Sequence, residues 1–309
     1  MTRILALIGA FSVLLVNDMA MAQIAPTPEP TKVDTPKNTT RATAGSPLRL
    51  CTGGAGNNYH RVGVALKEAL KGTVDVEVIE TQGSWENLEL LDQDSPRCDA
   101  VIAQEDAYAL HQFERPDSSL NIDRMATLYP EHVHLLCNKA AKGDSIGDLD
   151  PRDTRILVNS YGSGSFITWR LFATLNKAYK SFRVVESGVD EGLLQLRNDR
   201  YPTCFFFVSG LGGRTLNTAH GTLGDRVRLM AVVDRALHRP VGREKRQIYA
   251  PSTITQKVYP RLLTGDLDTQ SVDAALFLSP TWKTRHPLAS AKLAQVLLPL
   301  LERLEKEFR

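Results

Sequence analysis

Three short turns hold the residues best suited to chemistry: Thr52-Gly53-Gly54-Ala55-Gly56-Asn57, Gln82-Gly83-Ser84, and Tyr161-Gly162-Ser163-Gly164-Ser165. Each stands just before a segment whose apolar residues recur at helical spacing. A helix start presents backbone N–H groups with no partner inside the helix, and their dipoles favour an anion. Thr and Ser hydroxyls beside them add hydrogen-bonding capacity. One such turn alone reads equally well as an ordinary strand-to-helix connection with a Ser cap. Three of them, spread over two similar halves of the chain, point to a cleft that holds a small solute.

Reaction chemistry finds less support. The run Gly54-Ala55-Gly56-Asn57-Asn58-Tyr59 lacks the third glycine of a dinucleotide fingerprint, and no Gly-Lys-Ser/Thr nucleotide loop occurs. Gly162-Ser163-Gly164-Ser165-Phe166 is not the Gly-x-Ser-x-Gly nucleophile turn. His132 and His134 fall on one face of a strand with Cys137 nearby, but a metal site needs a third ligand and Glu131 is a weak offer. His134 reads instead as a support of that strand. No metal, no cofactor and no enzymatic activity are expected. Cys51, Cys98, Cys137 and Cys204 each lie in or beside an apolar strand, which leaves buried thiols and disulfides both open.

The elements that position the turns alternate. Leu48 to Cys51 is strand-like, and Tyr59, Val62, Leu66, Ala69 and Leu70 mark the helix after it, which Gly72 stops. Val74, Val76 and Val78 alternate with acidic residues as in a strand. Trp85, Leu88 and Leu91 define a second helix, and Ala100 to Ala103 a buried strand that ends at Gln104-Glu105-Asp106. Val133 to Leu136 is strand-like and crosses to a second round. That round has strands at Arg155–Asn159, Arg183–Val185 and Cys204–Val208, with helices at Phe166–Leu175 and Asp190–Asn198. Ser209-Gly210-Leu211-Gly212-Gly213 forms another turn after the last of these strands. Val272–Leu278 returns as a strand and Leu288–Phe308 as a long terminal helix containing Pro299. Strand–turn–helix repeated in this way predicts two α/β lobes with parallel sheets, and ligands bind beyond the carboxyl ends of such strands.

The composition agrees. The chain has 309 residues with 42% apolar and 23% charged residues, ordinary values for a globular protein. A formal net charge of +2 argues against a dedicated nucleic-acid binder. Arg3, the apolar run Ile4–Val16 and the small-x-small Ala20-Met21-Ala22 read as a signal peptide cleaved near Ala22, since the run is shorter than a membrane span. Gln23–Ser46, with four prolines among Thr, Lys and Asn, reads as a disordered leader.

Several of these motifs, in this order, resemble the solute receptors of the TAXI branch of TRAP transporters. Cys51-Thr-Gly-Gly-Ala-Gly-Asn-Asn-Tyr-His-Arg-Val-Gly63 is similar to that family's Thr-Gly-Gly-x-Gly-Gly-x-Tyr-Tyr opening. Gly83-Ser84-Trp85-Glu86-Asn87-Leu88 resembles its Gly-Ser-x-Glu-Asn-Leu, and Gln104-Glu105-Asp106 its Gln-x-Asp. Tyr129 to Leu135 and Gly162 to Ser165 fall in the family's order. The departures are Asn57 for a loop glycine, His60 for the second Tyr, Leu211-Gly212-Gly213-Arg214 for a Gly-x-Pro-like loop, and a basic stretch at Arg239–Tyr249.

The resemblance implies a two-lobed α/β periplasmic binding protein of type II-like fold. It would be monomeric and would close on a glutamate-like or dicarboxylate ligand before handing it to a membrane permease. A sensor subunit for a membrane signalling protein is the alternative use of the same cleft. The lobes are expected at 47–133 plus 236–309 and at 134–235. On this reading Thr52, Gly53, Gly54 and Asn57 form one wall with Tyr59, Ser84 and Asn87 present the second helix start, and Gln104 and Asp106 reach in beyond the third strand. Ser163, Gly164 and Ser165 close from the other lobe. Asp106 also reads as a helix cap, Trp85 as a pocket wall or as core, and Arg214 as a cation that neutralises a ligand carboxylate or as an exposed loop residue.

Overall fold

The computed structural model describes residues 46–308, so the expected signal peptide and the leader as far as residue 45 lie outside the described residues. The first round of elements is β1 (Leu48–Cys51), α1 (Asn58–Ala69), β2 (Val76–Ile79), α2 (Ser84–Leu91), β3 (Ala100–Gln104) and α3 (Glu105–Glu114). Here β1 lies between β2 and β3 and is parallel to both. The second round repeats the pattern with β5 (Arg155–Val158), α4 (Gly164–Leu175), β6 (Arg183–Glu186), α5 (Val189–Gln195), β7 (Thr203–Ser209) and α6 (Arg214–Leu223). There β5 lies between β6 and β7, again parallel to both.

Two long strands join the rounds. Strand β4 spans Asp123–Asn138, ten residues earlier at its start than Val133, and β10 spans Leu267–Leu278. Both run antiparallel to their neighbours, and the hydrogen-bonded path β2-β1-β3-β10-β4-β7-β5-β6 is continuous. The lobes therefore hold parallel cores, and the junction between them is antiparallel. The passage occurs at His132, which pairs with Ser271 of β10 on one side and Ser209 of β7 on the other. Strands β8 (Val227–Met230) and β9 (Ala250–Ile254) add to β4 and β10, and helices α7 (Pro280–Arg285) and α8 (Pro287–Phe308) end the chain.

Alternation along the strands fills three cores. Leu48, Leu50, Ala100 and Ile102 face α1 and α8 through Val62, Leu66, Leu293 and Leu297. Cys51, Val101 and Ala103 face the other side, in a core that runs on through Leu88 and Leu110 to Trp169, Phe172 and Phe206 of the second lobe. Phe205, Phe207, Leu157 and Leu216 form the third core together with Ile254, Tyr259 and Leu263. The stretch around Tyr259 thus packs on the second lobe, although it lies beyond the boundary at 236 expected from sequence.

Each lobe holds one disulfide, Cys51–Cys98 beside β1 and β3, and Cys137–Cys204 across β4 and β7. Cys137 and Cys204 are direct partners in the antiparallel register. Among the described residues no cysteine is free, and no helix is long and apolar enough to cross a membrane.

Candidate functional site

Four helix starts surround one cavity of about 720 Å³, within the ~300–1,000 Å³ usual for small-molecule sites. They belong to α1, α2, α4 and α6, and each follows the carboxyl end of a strand or the turn beyond it. Asn57 before α1, Gly83 before α2 and Gly213 before α6 cap no helix N–H with a side chain. Only Ser163, before α4, does so, accepting from the Phe166 N–H at 3.2 Å. Three helix starts therefore present N–H groups and the positive end of a dipole to the cavity.

The expected residues divide into two sets. Gly53, Asn57, Tyr59, Ser84, Gln104, Ser163, Gly164 and Ser165 line the cavity. Thr52, Gly54, Asn87 and Asp106 do not. The Thr52 hydroxyl donates to the Ile79 carbonyl at 3.1 Å. Asn87 is buried, with its amide donating to the carbonyls of Thr52 and Ile102 at 2.6 and 2.8 Å and its oxygen accepting from Thr81 at 2.6 Å. These contacts use its hydrogen-bonding capacity to hold β1, α2 and β3 together, so it positions the wall. Asp106 is also buried, where it accepts from Thr168 of α4 at 2.6 Å and from Tyr249 at 2.9 Å. It ties the two lobes together, and burial pushes its carboxyl up to about 6 against the pull of those bonds.

Gly164 meets a steric demand. A β-carbon there would lie 2.2 Å from Oε1 of Gln104, so any other residue displaces the buried Gln104 side chain from its place in the cavity. The close approach, rather than a positive φ, makes the requirement. Gly83 differs, since its φ of 118° lies in the region that favours glycine.

Serines at the two sides do matching work. Ser84 Oγ accepts the Gln104 N–H at 3.1 Å, and Ser165 Oγ accepts the Val208 N–H at 3.0 Å. Each ties a helix start to the end of the strand beside it. Ser84 also lies 3.3 Å from the Tyr59 hydroxyl, which in turn donates to Glu131 at 3.3 Å.

Glu131 is the residue that sequence reasoning undervalued, since it was weighed there only as a metal ligand. It lines the cavity from β4, one residue before the crossing point of the lobes. Its carboxyl is pushed up to about 8, chiefly by burial and then by the Asp106 charge, while hydrogen bonds from Tyr59 and Gln104 act the other way. Asn159 and the Ser209–Gly213 turn also line the cavity without having been counted. The turn carried the same signal as the other three: glycines and a serine between a strand and a helix. Arg214 is the first residue of α6.

The histidine pair serves the strand. His132 Nδ1 shares a hydrogen bond with Ser252 at 2.9 Å. His134 stacks on Phe207 with ring centroids 4.9 Å apart, and burial depresses it to about 3. Among the described residues no three His, Cys, Asp or Glu side chains group so as to hold a metal ion.

The sequence profile of the NMT1-like family matches residues 50–283. No curated protein matches the chain. Among solved structures it is similar to an ancestral arginine-binding protein bound to arginine, at 11% identity and a TM-score of 0.48, covering 85% of this chain and 97% of the other. It is similar to AbpA, an amino acid ABC transporter substrate-binding protein of Streptococcus pneumoniae bound to L-arginine, at 12% identity and a TM-score of 0.46, covering 84% and 93%. The GluR0 ligand-binding core in complex with L-glutamate shows 12% identity and a TM-score of 0.46, covering 86% and 99%.

Proposed function

The chain belongs to the NMT1-like family, and on that premise we propose that it is a solute receptor of a TRAP-type, TAXI-like transporter. It captures a small anionic or zwitterionic solute, glutamate-like or a dicarboxylate, between its two lobes and presents it to a membrane permease. The observation that carries this reading is the cavity itself, where four Gly- and Ser-rich turns from both lobes bring helix starts to one polar space. A carboxylate there gains several N–H donors and the field of the helix dipoles, with the Arg61 side chain on the same cavity. The eight lining residues from Gly53 to Ser165 are its binding groups. The lobes that close on it are residues 47–133 with the terminal helices, and 134–235 with the stretch around Tyr259. The paired disulfides suit an oxidising compartment, which supports export to the periplasm after cleavage near Ala22. The receptor works as a monomer, without cofactor or catalysis.

A thermal screen of amino acids and dicarboxylates tests the reading. A ligand bound only by the native state stabilises it by ~2.7 kcal/mol at 100 times its Kd. At roughly 2–4 °C per kcal/mol the melting point should rise by several degrees. Native mass spectrometry of freshly purified protein should show the same solute retained. A screen with no shift counts against the proposed ligand class.

A further inference from the structure

The donor-rich rim of the cavity explains an anion, yet its floor is rich in acceptors. Glu131 is only 9% exposed and takes part in none of the ion pairs formed among the described residues. Its donors are neutral, the Tyr59 hydroxyl at the long distance of 3.3 Å and the Gln104 amide. Beside it Gln104, 1% exposed, has an Oε1 with no hydrogen-bond donor. Behind the floor, outside the lining, Asp106 is a second buried carboxyl whose charge acts on Glu131. A second ligand carboxylate seated on this floor would meet acceptors, and it would hold Glu131 in its protonated form. A ligand with a carboxylate at one end and an ammonium at the other satisfies both rim and floor.

We propose that Glu131 receives the ammonium group of the ligand, so that the cavity selects amino-acid-like zwitterions over acids lacking the amino group. This rests on the cavity being the solute site, and it chooses between the solute classes that reading admits. Gln104 Oε1 is the second acceptor available to the ammonium, and the Tyr59 hydroxyl fixes the carboxylate that receives it.

The choice has a proton signature. The groups facing Glu131 are Tyr59 from α1, Asp106 from α3, Tyr129 on its own strand and Gln104 from β3; Arg61 acts on Tyr129. His132 beside it is held by Ser252, and burial lowers its pKa. Among the described side chains that line the cavity from the second lobe, none is ionisable. With its carboxyl near 8, Glu131 is protonated at neutral pH in the unliganded receptor. An ammonium stabilises the ionised form, so its binding expels that proton, and affinity rises from pH 6 to pH 8. An acid without the amino group favours protonated Glu131, and its affinity falls over the same range.

Calorimetry on the full chain tests this with the twenty protein amino acids, each against the acid that lacks only its amino group, such as L-glutamate against glutarate. At least one amino acid should bind roughly 10- to 100-fold more tightly than its counterpart, the range of one charged hydrogen bond. Its binding enthalpy at pH 7 should vary with the ionisation enthalpy of the buffer, as proton release requires. Glu131→Gln should erase the preference. An acid that binds as tightly as its amino counterpart, or a Glu131→Gln receptor that keeps the preference, overturns the inference and leaves the cavity reading intact. Should that variant not fold, the proton count on the parent chain decides, and amino-acid binding without release overturns it. Binding of none of these probes overturns the inference and the cavity reading together.

Discussion

The two walls of the cavity are built by the same grammar and carry different chemistry. The first lobe supplies a glycine turn before α1, a serine at the start of α2, and the side chains Tyr59, Arg61, Gln104 and Glu131. The second supplies Asn159, Ser163, Gly164, Ser165 and the Ser209–Gly213 turn, and among the described side chains it adds to the lining none is ionisable. One wall sets charge through side chains; the other offers backbone donors and neutral hydroxyls. This division suits a receptor that recognises on one side and encloses from the other.

The comparison breaks most visibly at Gly164. Valine there would drive its β-carbon into Gln104 and force that side chain out of its place between the two walls. Binding measured by calorimetry should fall by more than about 100-fold, the effect of losing several hydrogen bonds at ~0.5–1.5 kcal/mol each. Circular dichroism should show both lobes folded. A folded Gly164→Val variant that binds like the parent would mean that enclosure by the second lobe contributes nothing.

A second comparison sets the disulfides against each other. Cys51–Cys98 spans 47 positions and Cys137–Cys204 spans 67. Loop entropy grows only as the logarithm of length, so the two should contribute alike, to within about 0.5 kcal/mol. Replacing either pair by serine should cost ~2–5 kcal/mol in denaturant unfolding. A much larger loss from one pair would show that its lobe alone limits the stability of the whole.

Sequence made the turns legible because their signal is local. Glycine and serine between a strand and a periodic helix can be read within about ten positions, and the Gly53, Ser84 and Ser163–Ser165 segments all reach the cavity. Glu131 could not be read in that way. Its place depends on the register of β4 where that strand leaves β10 for β7, and its partner Tyr59 lies 72 positions away. Asn87 and Asp106 misled for a related reason. A polar residue beside a helix start looks like a ligand contact until its buried partners are known, and here Thr52, Ile102, Thr168 and Tyr249 take it up. The early start of β4 was hidden by Pro130, which interrupts the pattern and sits opposite Asp273, close to a register shift in β10. The cysteine pairing rests on strand register too, and spacing alone does not encode it.

The smallest effects sharpen the comparison furthest. Ser84 and Ser165 each accept one backbone N–H from the neighbouring strand end, at 3.1 and 3.0 Å, and both are buried. Replacing either with alanine leaves that N–H unpaired, at ~1–3 kcal/mol for a buried donor without a partner. The two variants should therefore lose similar stability, seen as melting points lowered by several degrees at roughly 2–4 °C per kcal/mol. Their affinities should differ. Ser165 ends its chain of contacts at Val208, whereas Ser84 also touches the Tyr59 hydroxyl that donates to Glu131. Ser84→Ala frees that phenol to turn, so ligand affinity should drop up to about tenfold, while Ser165→Ala stays within about threefold of the parent, in keeping with one lost neutral hydrogen bond or less. Equal losses at both serines would mean that the Tyr59–Glu131 contact is not tuned from α2, and that the two walls differ less than their side chains imply.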